Sequence, residues 1–563
     1  MIPFTGFSPD TDPTVQGVIT DCANLVPTLK GYAGAPSGAD VGMDTLADAA
    51  LSAALTIDLS SVGRLIVGSA TKLYEKAGVV WTDVSRNISS VITISIASPA
   101  VVDWGNHGLV AGTAVVFTTT GALPTGVTAA TTYYVISDGL ATATFQFSAT
   151  LGGSAVNTSG SQSGIHTATR TDAAYHASVN YPWRFAQFGN TTLATNHYDV
   201  IQASNSGKFS DLVSPQVHVM CVVSGFVMAA HTFDAIYGHE HDRWWCSAYL
   251  DYTDWTPAIS TQCTTGRLVD TPGRIRGIKA LGYDVVAYKD RSMYLGRYVG
   301  PPGVWDFTLL PGSAGAVSQE AIADIETAHV FIGENDIYLF DGSLPKPIGA
   351  PIREWFFADL DIDRRNTIVH SHDRHNSFVY FYYPRLGDTA KLSGCIVYNY
   401  KTNQWGLAHR SIGCVVEYIL GGFTWDTLPF AIWDVWPGVK YDSPFWQKTV
   451  RYVAFMGTDG KVYAMTGESD TSSLTTGDYG VENQNSLLSR VTLRYLNRPE
   501  SATLTNYYQD IHGGAWKTDH TVPEFNGRFD LFRSAPWHKA KFNFVGDVEF
   551  TAINADFKPD GEI

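Results

Sequence analysis

The sequence predicts a mainly β protein: an irregular β-propeller of about six to seven blades, with an inserted small β domain and a β-rich terminal domain. Three observations predict it. Residues that favour strands and residues that make turns are abundant together, with 28 Tyr, 28 Phe and 15 Trp beside 52 Gly and 25 Pro. One type of hairpin returns along the chain: an apolar strand, a short polar turn, then a strand carrying an aromatic. A tryptophan follows many of these hairpins, and Trp305, Trp355 and Trp405 stand at equal steps of fifty residues. Spacings of about 40 to 50 residues with one hairpin per step are what blades leave in a sequence, because a small sheet buries its faces only against the next one.

Four hairpins align: Arg64 to Glu75, Val285 to Leu295, His329 to Phe340 and Tyr452 to Met465, with Tyr74, Tyr294, Tyr338 and Tyr463 at equivalent places. Alternation puts every second residue on one sheet face, and Asp459-Gly460 supplies turn chemistry in the last copy. Looser copies lie at Thr191 to Ser204, Arg243 to Tyr249 and Phe378 to Tyr400, making about seven units. Trp81 and Trp255 follow the hairpins at Arg64 to Glu75 and Arg243 to Tyr249. A generic β-sandwich also repeats strands, but without a tryptophan in phase.

Interruptions of this rhythm divide the chain. Residues 1–50 are expected to be an N-terminal arm and 51–97 the first blade region. From 98 to 170 the composition turns to Ala, Thr, Ser and Gly with few charges, which predicts an inserted small β domain. Its strands are expected at Ala114 to Thr118, Tyr133 to Ile136 and Thr144 to Ser148. The remaining blades occupy 171–468. A polar stretch, SDTSSLTTGDYG, reads as a linker into a C-terminal β-rich end domain over 469–563, with the N-terminal arm as a possible companion.

The formal charge of -16 argues against a sequence-independent grip on DNA phosphates. No apolar run approaches the ~18 residues of a membrane span and no basic start precedes an apolar stretch, so synthesis in a cytosol and no membrane insertion are expected. The six cysteines form no Cys-x-x-Cys pair and read as reduced core residues.

Few residues suggest chemistry. In His239-Glu240-His241-Asp242 the alternation of a strand points both imidazoles to one face, yet two histidines are half a tetrahedral site and spacing supplies no third ligand. His370, His372 and His375 read as part of a polar loop before the strand at Phe378. Asp359, Asp361 and Asp363 alternate as a hydrolytic carboxylate pair would, without an identifiable partner. No phosphate-cradling glycine loop, Gly-x-Ser-x-Gly elbow, His-Glu-x-x-His or Ser-x-Asp-x-Gly-x-x-Trp box occurs. The expectation is therefore no catalytic residues, no metal ligands and no cofactor.

Several stretches, in chain order, resemble tail nozzle (tail tubular) proteins of short-tailed bacteriophages. The opening Pro9-Asp10-Thr11-Asp12-Pro13 with Gly17 to Pro27 is similar to their start. Trp183 to Gly189 with Leu193-Ala194-Thr195-Asn196, Ser292 to Leu295 with Val299-Gly300-Pro301-Pro302, and Ile396 to Tyr400 with Asn403-Gln404-Trp405 resemble their blade strands. The segment from Gly527-Arg528-Phe529-Asp530 to Gly546-Asp547 is similar to their end. Residues 98–170, with Asn106-His107-Gly108-Leu109 and Leu123-Pro124 before Thr132 to Val135, look like a small β module of phage virion proteins.

The resemblance implies a structural virion protein, a homohexameric ring that forms the distal DNA exit channel of the tail. Such a ring retains the genome and then releases it during DNA ejection. It implies assembly in the host cytoplasm, docking on a tail adaptor ring, tail fibres or tailspikes as neighbours, and DNA passing without specific binding. The alternatives are a propeller-type tail glycan hydrolase and a lectin-like receptor-binding module.

Overall fold

The computed structural model describes all residues except 88, 106, 172–173, 389–391, 420–450, 481–483, 512 and 563. The protein is mainly β, with 54% strand and 3% helix, and part of the strand lies in small four-stranded antiparallel sheets. No helix among the described residues is long and apolar enough to cross a membrane. The chain forms two compact units, one of residues 46–289 with 294–309, the other of residues 1–45, 290–293 and 310–563.

All four hairpins read from the sequence are present, each inside a four-stranded antiparallel sheet. Three of these sheets are simple meanders over Ser52–Asp83, Ile275–Leu309 and Ile322–Pro347. In the fourth, the N-terminal strand Ser37–Asp40 pairs with Val462–Gly467 and completes a sheet begun by Cys414–Ile419 and Arg451–Met456. Tyr74, Tyr294, Tyr338 and Tyr463 are each the second residue of the returning strand. Tyr338 and Tyr463 stack on their cross-strand partners Phe331 and Phe455, at 5.4 and 5.5 Å between ring centroids. The Asp459-Gly460 turn forms as its chemistry dictates. Gly460 takes φ 78°, and Asp459 accepts from the Lys461 amide and the Tyr463 hydroxyl.

The looser hairpins do not make separate blades, so the described residues form four four-stranded sheets where six to seven blades were expected. Thr191 to Ser204 and Arg243 to Tyr249 contribute to one seven-stranded sheet spanning Arg184–Arg267. The fourteen-residue strand Ser210–Val223 pairs with Val200–Ser204 on one side and Phe226–Asp234 on the other, which fuses what sequence spacing separates. Phe378 to Tyr400 joins a ten-stranded sheet. The tryptophans divide likewise: Trp81, Trp305 and Trp405 lie on the last strand of a meander, whereas Trp355 is on the helix Arg353–Asp359 and Trp255 follows the strand Gly238–Cys246 in a loop.

The module between the first blade and Trp183 begins earlier than its composition suggests. Ser89–Ile94 pairs with His166–Arg170 and Val102–Asp103, and Ala114–Thr119, Thr132–Val135, Thr144–Phe145 and Phe147–Ser148 complete seven strands. The two end strands of this sheet are separated in sequence only by Gln146, so the sheet curls back on itself as a small barrel. Its interior is a core of its own, with Ile92, Val102, Trp104, Phe117, Tyr133 and Phe147 all buried. His107 and Leu109 of the NHGL motif are buried, while Asn106 lies outside the described residues.

Because Ser89 lies opposite Thr169, the barrel enters and leaves at one place. Excising 90–168 with a short Gly/Ser bridge is expected to leave the rest of the unit folded, with one cooperative transition by calorimetry. Excising 98–170 is expected to fail that test, since it strands Ser89–Ile94 without partners and removes Arg170.

In the other unit the N-terminal segment is woven into the C-terminal sheets. Leu25–Pro27 and Tyr32–Gly34 sit inside the ten-stranded sheet, between Gln404–Leu407 and Glu549–Glu562. Thr471–Thr476, read from sequence as linker, is a strand between Val18–Ala23 and Trp537–Val545. Its polarity misleads because its hydroxyls lie at a sheet interior, where the Thr476 hydroxyl accepts from the Ala540 amide and donates to Gly477 O. Phe7, Leu25, Tyr32, Phe529, Phe542 and Phe550 belong to the shared core.

One close approach fixes the first sheet against the seven-stranded one. A Cβ on Gly68 would lie 2.1 Å from the Trp183 ring, which is itself buried and donates from Nε1 to Ser69 O at 2.8 Å. Gly68→Ala is therefore expected to cost about 1–3 kcal/mol through overpacking, read as a lowered unfolding midpoint.

Candidate functional site

The seven-stranded sheet gathers five histidines that are scattered in sequence. Val217 pairs with Thr232 and Val219 with Ala230, which sets His218 opposite His231. On the far side of the Phe226–Asp234 strand, His239 lies opposite Phe233, and His241 follows two residues on. His197 reaches the group from the turn between Thr191–Thr195 and Val200–Ser204. Ring centroids are 5.1 Å apart for His197 and His231, 5.3 Å for His231 and His239, and 5.0 Å for His218 and His231.

Two of these positions are held in backbone conformations that side-chain-bearing residues seldom adopt. His197 has φ 77° and His231 φ 56°, both left-handed. At His231 the ladder with the Gly238–Cys246 strand shifts register between Ala230 and Thr232, a bulge of the kind that re-aims a side chain. At His197 the turn is clamped by Asn196, whose Oδ1 accepts from the Tyr198 and Asp199 amides and whose Nδ2 donates to Asp199 Oδ2 at 2.7 Å. The Tyr181 ring stacks on His197 at 4.7 Å and 16°.

Asp199 ties this turn to a buried ionic network. Arg86 donates to Asp199 at 3.2 Å and to Asp211 at 3.1 Å, and Arg170 donates to Asp211 at 2.7 Å, with all four side chains at most 6% exposed. Gln202 Nε2 also donates to Asp211, and the Tyr175 hydroxyl bridges Gln202 and the Arg86 amide.

Burial lowers His197, His218, His231 and His239. Burial lowers His231 to about 3 and His197 to about 4, helped by neighbouring histidines and by Arg274 and Arg184 respectively. Burial, then Arg184, His231 and His197, push His218 well below the usual range, and burial with His241 lowers the exposed His239. Neutral imidazoles offer lone pairs. His197, His231 and His239 can each present one ring nitrogen such that all three lie within 4.8 Å of one another. Nδ1 of His197 and Nδ1 of His231 are buried without a hydrogen-bond partner.

His239 thus does not stand alone: the other two imidazoles of the group come from His197 and His231, and not from its strand neighbour His241. A sequence signal existed for His231: it is a lone imidazole directly after the apolar run from Phe226 to Ala230. His197 had none beyond a polar turn.

The other candidates are placed elsewhere. His370 and His372 are on the strand Val369–Asp373, which pairs with Phe378–Tyr383, and not in a loop. The turn is made by Asp373, which accepts from the amides of His375 and Asn376. His370 Nδ1 lies 2.7 Å from Glu320 O and His372 Nε2 lies 3.3 Å from the Tyr400 hydroxyl. Asp359 is held by Arg385 and by the Tyr383 hydroxyl, and Asp361 is paired with Arg364 while capping a 3-10 turn that contains Asp363. The six cysteines are buried thiols.

No family model and no curated protein matches this sequence. Among solved structures, the CNH domain of AfRom2 is similar at 9% identity over 60% of this chain and 92% of that one, with a TM-score of 0.26. An exo-β-1,3-galactanase from Phanerochaete chrysosporium, solved with β-1,3-galactotriose, is similar at 7% identity over 68% of this chain and 97% of that one, with a TM-score of 0.22.

Proposed function

We propose that this chain is a structural virion protein: the ring-forming, propeller-based nozzle subunit of a short-tailed phage tail, through which DNA leaves the particle. The observation that carries the reading is the collinear series of nozzle-like motifs, three of which fall on strands of three different sheets. Trp183 to Gly189 leads into and covers the strand Arg184–Phe188, Ser292 to Leu295 opens the strand Met293–Gly300, and Ile396 to Tyr400 covers most of Gly394–Asn399.

The role is mechanical and needs no active site. Asp359 and Asp361 are engaged by arginines, which gives the hydrolase alternative no free carboxylate pair there. A hexamer docked on an adaptor ring, with fibres or tailspikes beside it, is the expected assembly. Its test is native mass spectrometry of the purified full chain, where a species of six chain masses supports the reading and a monomer at micromolar concentration overturns it.

A conduit must not hold what it passes. With a net charge of -16 per chain, the protein is expected to bind duplex DNA more weakly than the ~10⁻⁴ to 10⁻⁶ M typical of non-specific DNA-binding proteins, even at low salt. Fluorescence anisotropy with a labelled duplex measures this, and tight binding that weakens steeply with added salt would contradict it.

A further inference from the structure

We propose that His197, His231 and His239 form a three-imidazole site for a divalent transition-metal ion, with zinc the ion that best fits the donor set. Three independent features point there. The three ring nitrogens converge from a turn and two neighbouring strands to within 4.8 Å. Two of the rings, 8% and 3% exposed, keep Nδ1 buried with no hydrogen-bond partner, and an orphaned buried polar atom carries a cost that a ligand removes. Both of those residues are held in left-handed backbone, one of them at a bulge, so the sheet keeps an unfavourable geometry where the rings converge.

Donor chemistry selects the ion class. Neutral imidazole suits zinc, copper, iron and nickel and not the hard oxygen-seeking calcium or magnesium. A zinc ion at 2.0–2.1 Å from each nitrogen needs the donors about 3.4 Å apart, so the rings must draw together on binding. Three protein ligands leave a fourth position for water or a group from outside, and the exposure of His239 gives the ion a way in. Arg184, Arg274 and Arg276 act on the cluster as like charges and weaken the site, whereas Glu240 beside His239 favours a cation.

The test uses the full chain stripped with a chelator and titrated with Co(II), whose visible d–d bands report nitrogen ligation at fewer than six positions. One equivalent should bind with those bands and be displaced by Zn(II). Asparagine tolerates left-handed backbone, so His197→Asn and His231→Asn avoid added strain, and His239→Ala changes an exposed residue. Each should weaken Co(II) binding by at least about 100-fold, while His375→Ala, on an exposed turn of the other unit, should leave it unchanged. Absence of a stoichiometric Co(II) or Zn(II) complex in the parent protein overturns the proposal. So does binding that survives both His231→Asn and His239→Ala.

Discussion

Replacing Asp211 with alanine is expected to destabilise the unit of residues 46–289 by about 3–5 kcal/mol, the range for breaking a buried ion pair from one side. Asp211 accepts from Arg86, Arg170 and Gln202 with its side chain 2% exposed, so its removal leaves the Arg170 guanidinium buried with its carboxylate gone. Arg86 keeps Asp199 and suffers less. For a unit of this size the loss corresponds to a fall of roughly 10 °C in the transition midpoint. Removing both charges distinguishes a desolvation penalty from lost packing. Arg170→Met combined with Asp211→Leu should recover most of the stability, because the pair's attraction is largely offset by the cost of burying it. Calorimetry of the two variants checks this, and an Asp211→Ala midpoint within about 2 °C of the parent would refute the role given to the network.

Deleting residues 1–45 is expected to abolish folding of the other unit outright. The deletion takes two strands from the interior of the ten-stranded sheet, leaving the facing edges of Gln404–Leu407 and Glu549–Glu562 without ladder partners. It also removes the closing strand Ser37–Asp40 and the core residues Phe4, Phe7, Ile19, Leu25 and Tyr32. Tyr32 alone joins three segments: its ring stacks on Phe550, and its hydroxyl donates to Trp405 O at 2.9 Å and accepts from the Phe7 amide at 2.7 Å. Tyr32→Phe, which takes the hydroxyl away from the Phe7 amide and the Trp405 carbonyl, should already cost about 1–3 kcal/mol. Limited proteolysis of the truncated chain should degrade 310–563 while sparing 46–289. Equal protection of both would contradict the account.

These effects show where the sequence was readable. The four hairpins at Arg64, Val285, His329 and Tyr452 were legible because every contact that defines them is local: an alternating strand, a turn such as Asp459-Gly460, and a tyrosine opposite its partner. What escaped depends on partners far away in the chain. Leu25 meets Leu407, and Thr471–Thr476 looks like linker until Val18–Ala23 and Trp537–Val545 enclose it. The blade count was too high because strand length, not hairpin number, decides whether neighbours merge, and Ser210–Val223 is long enough to bridge two hairpins. The inserted barrel was found from composition, but its first strand, Ser89–Ile94, lies before the compositional change.

The histidine cluster shows the same limit at a site. His239 and His241 were visible as a strand pair, whereas His197 and His231 join them only through a clamped turn and a bulge, neither of which leaves a spacing pattern. Local reading therefore expected no metal at half a site. The fold brings two imidazoles, His197 and His231, to His239 and leaves His241 outside the converging three.

The central claim, that the protein works as a ring, is tested most directly by negative-stain electron microscopy of the purified full chain. Class averages should show closed sixfold rings with a central opening. Isolated single-chain particles with no rings at any concentration, together with release of sugar from host surface glycans by the same preparation, would contradict it.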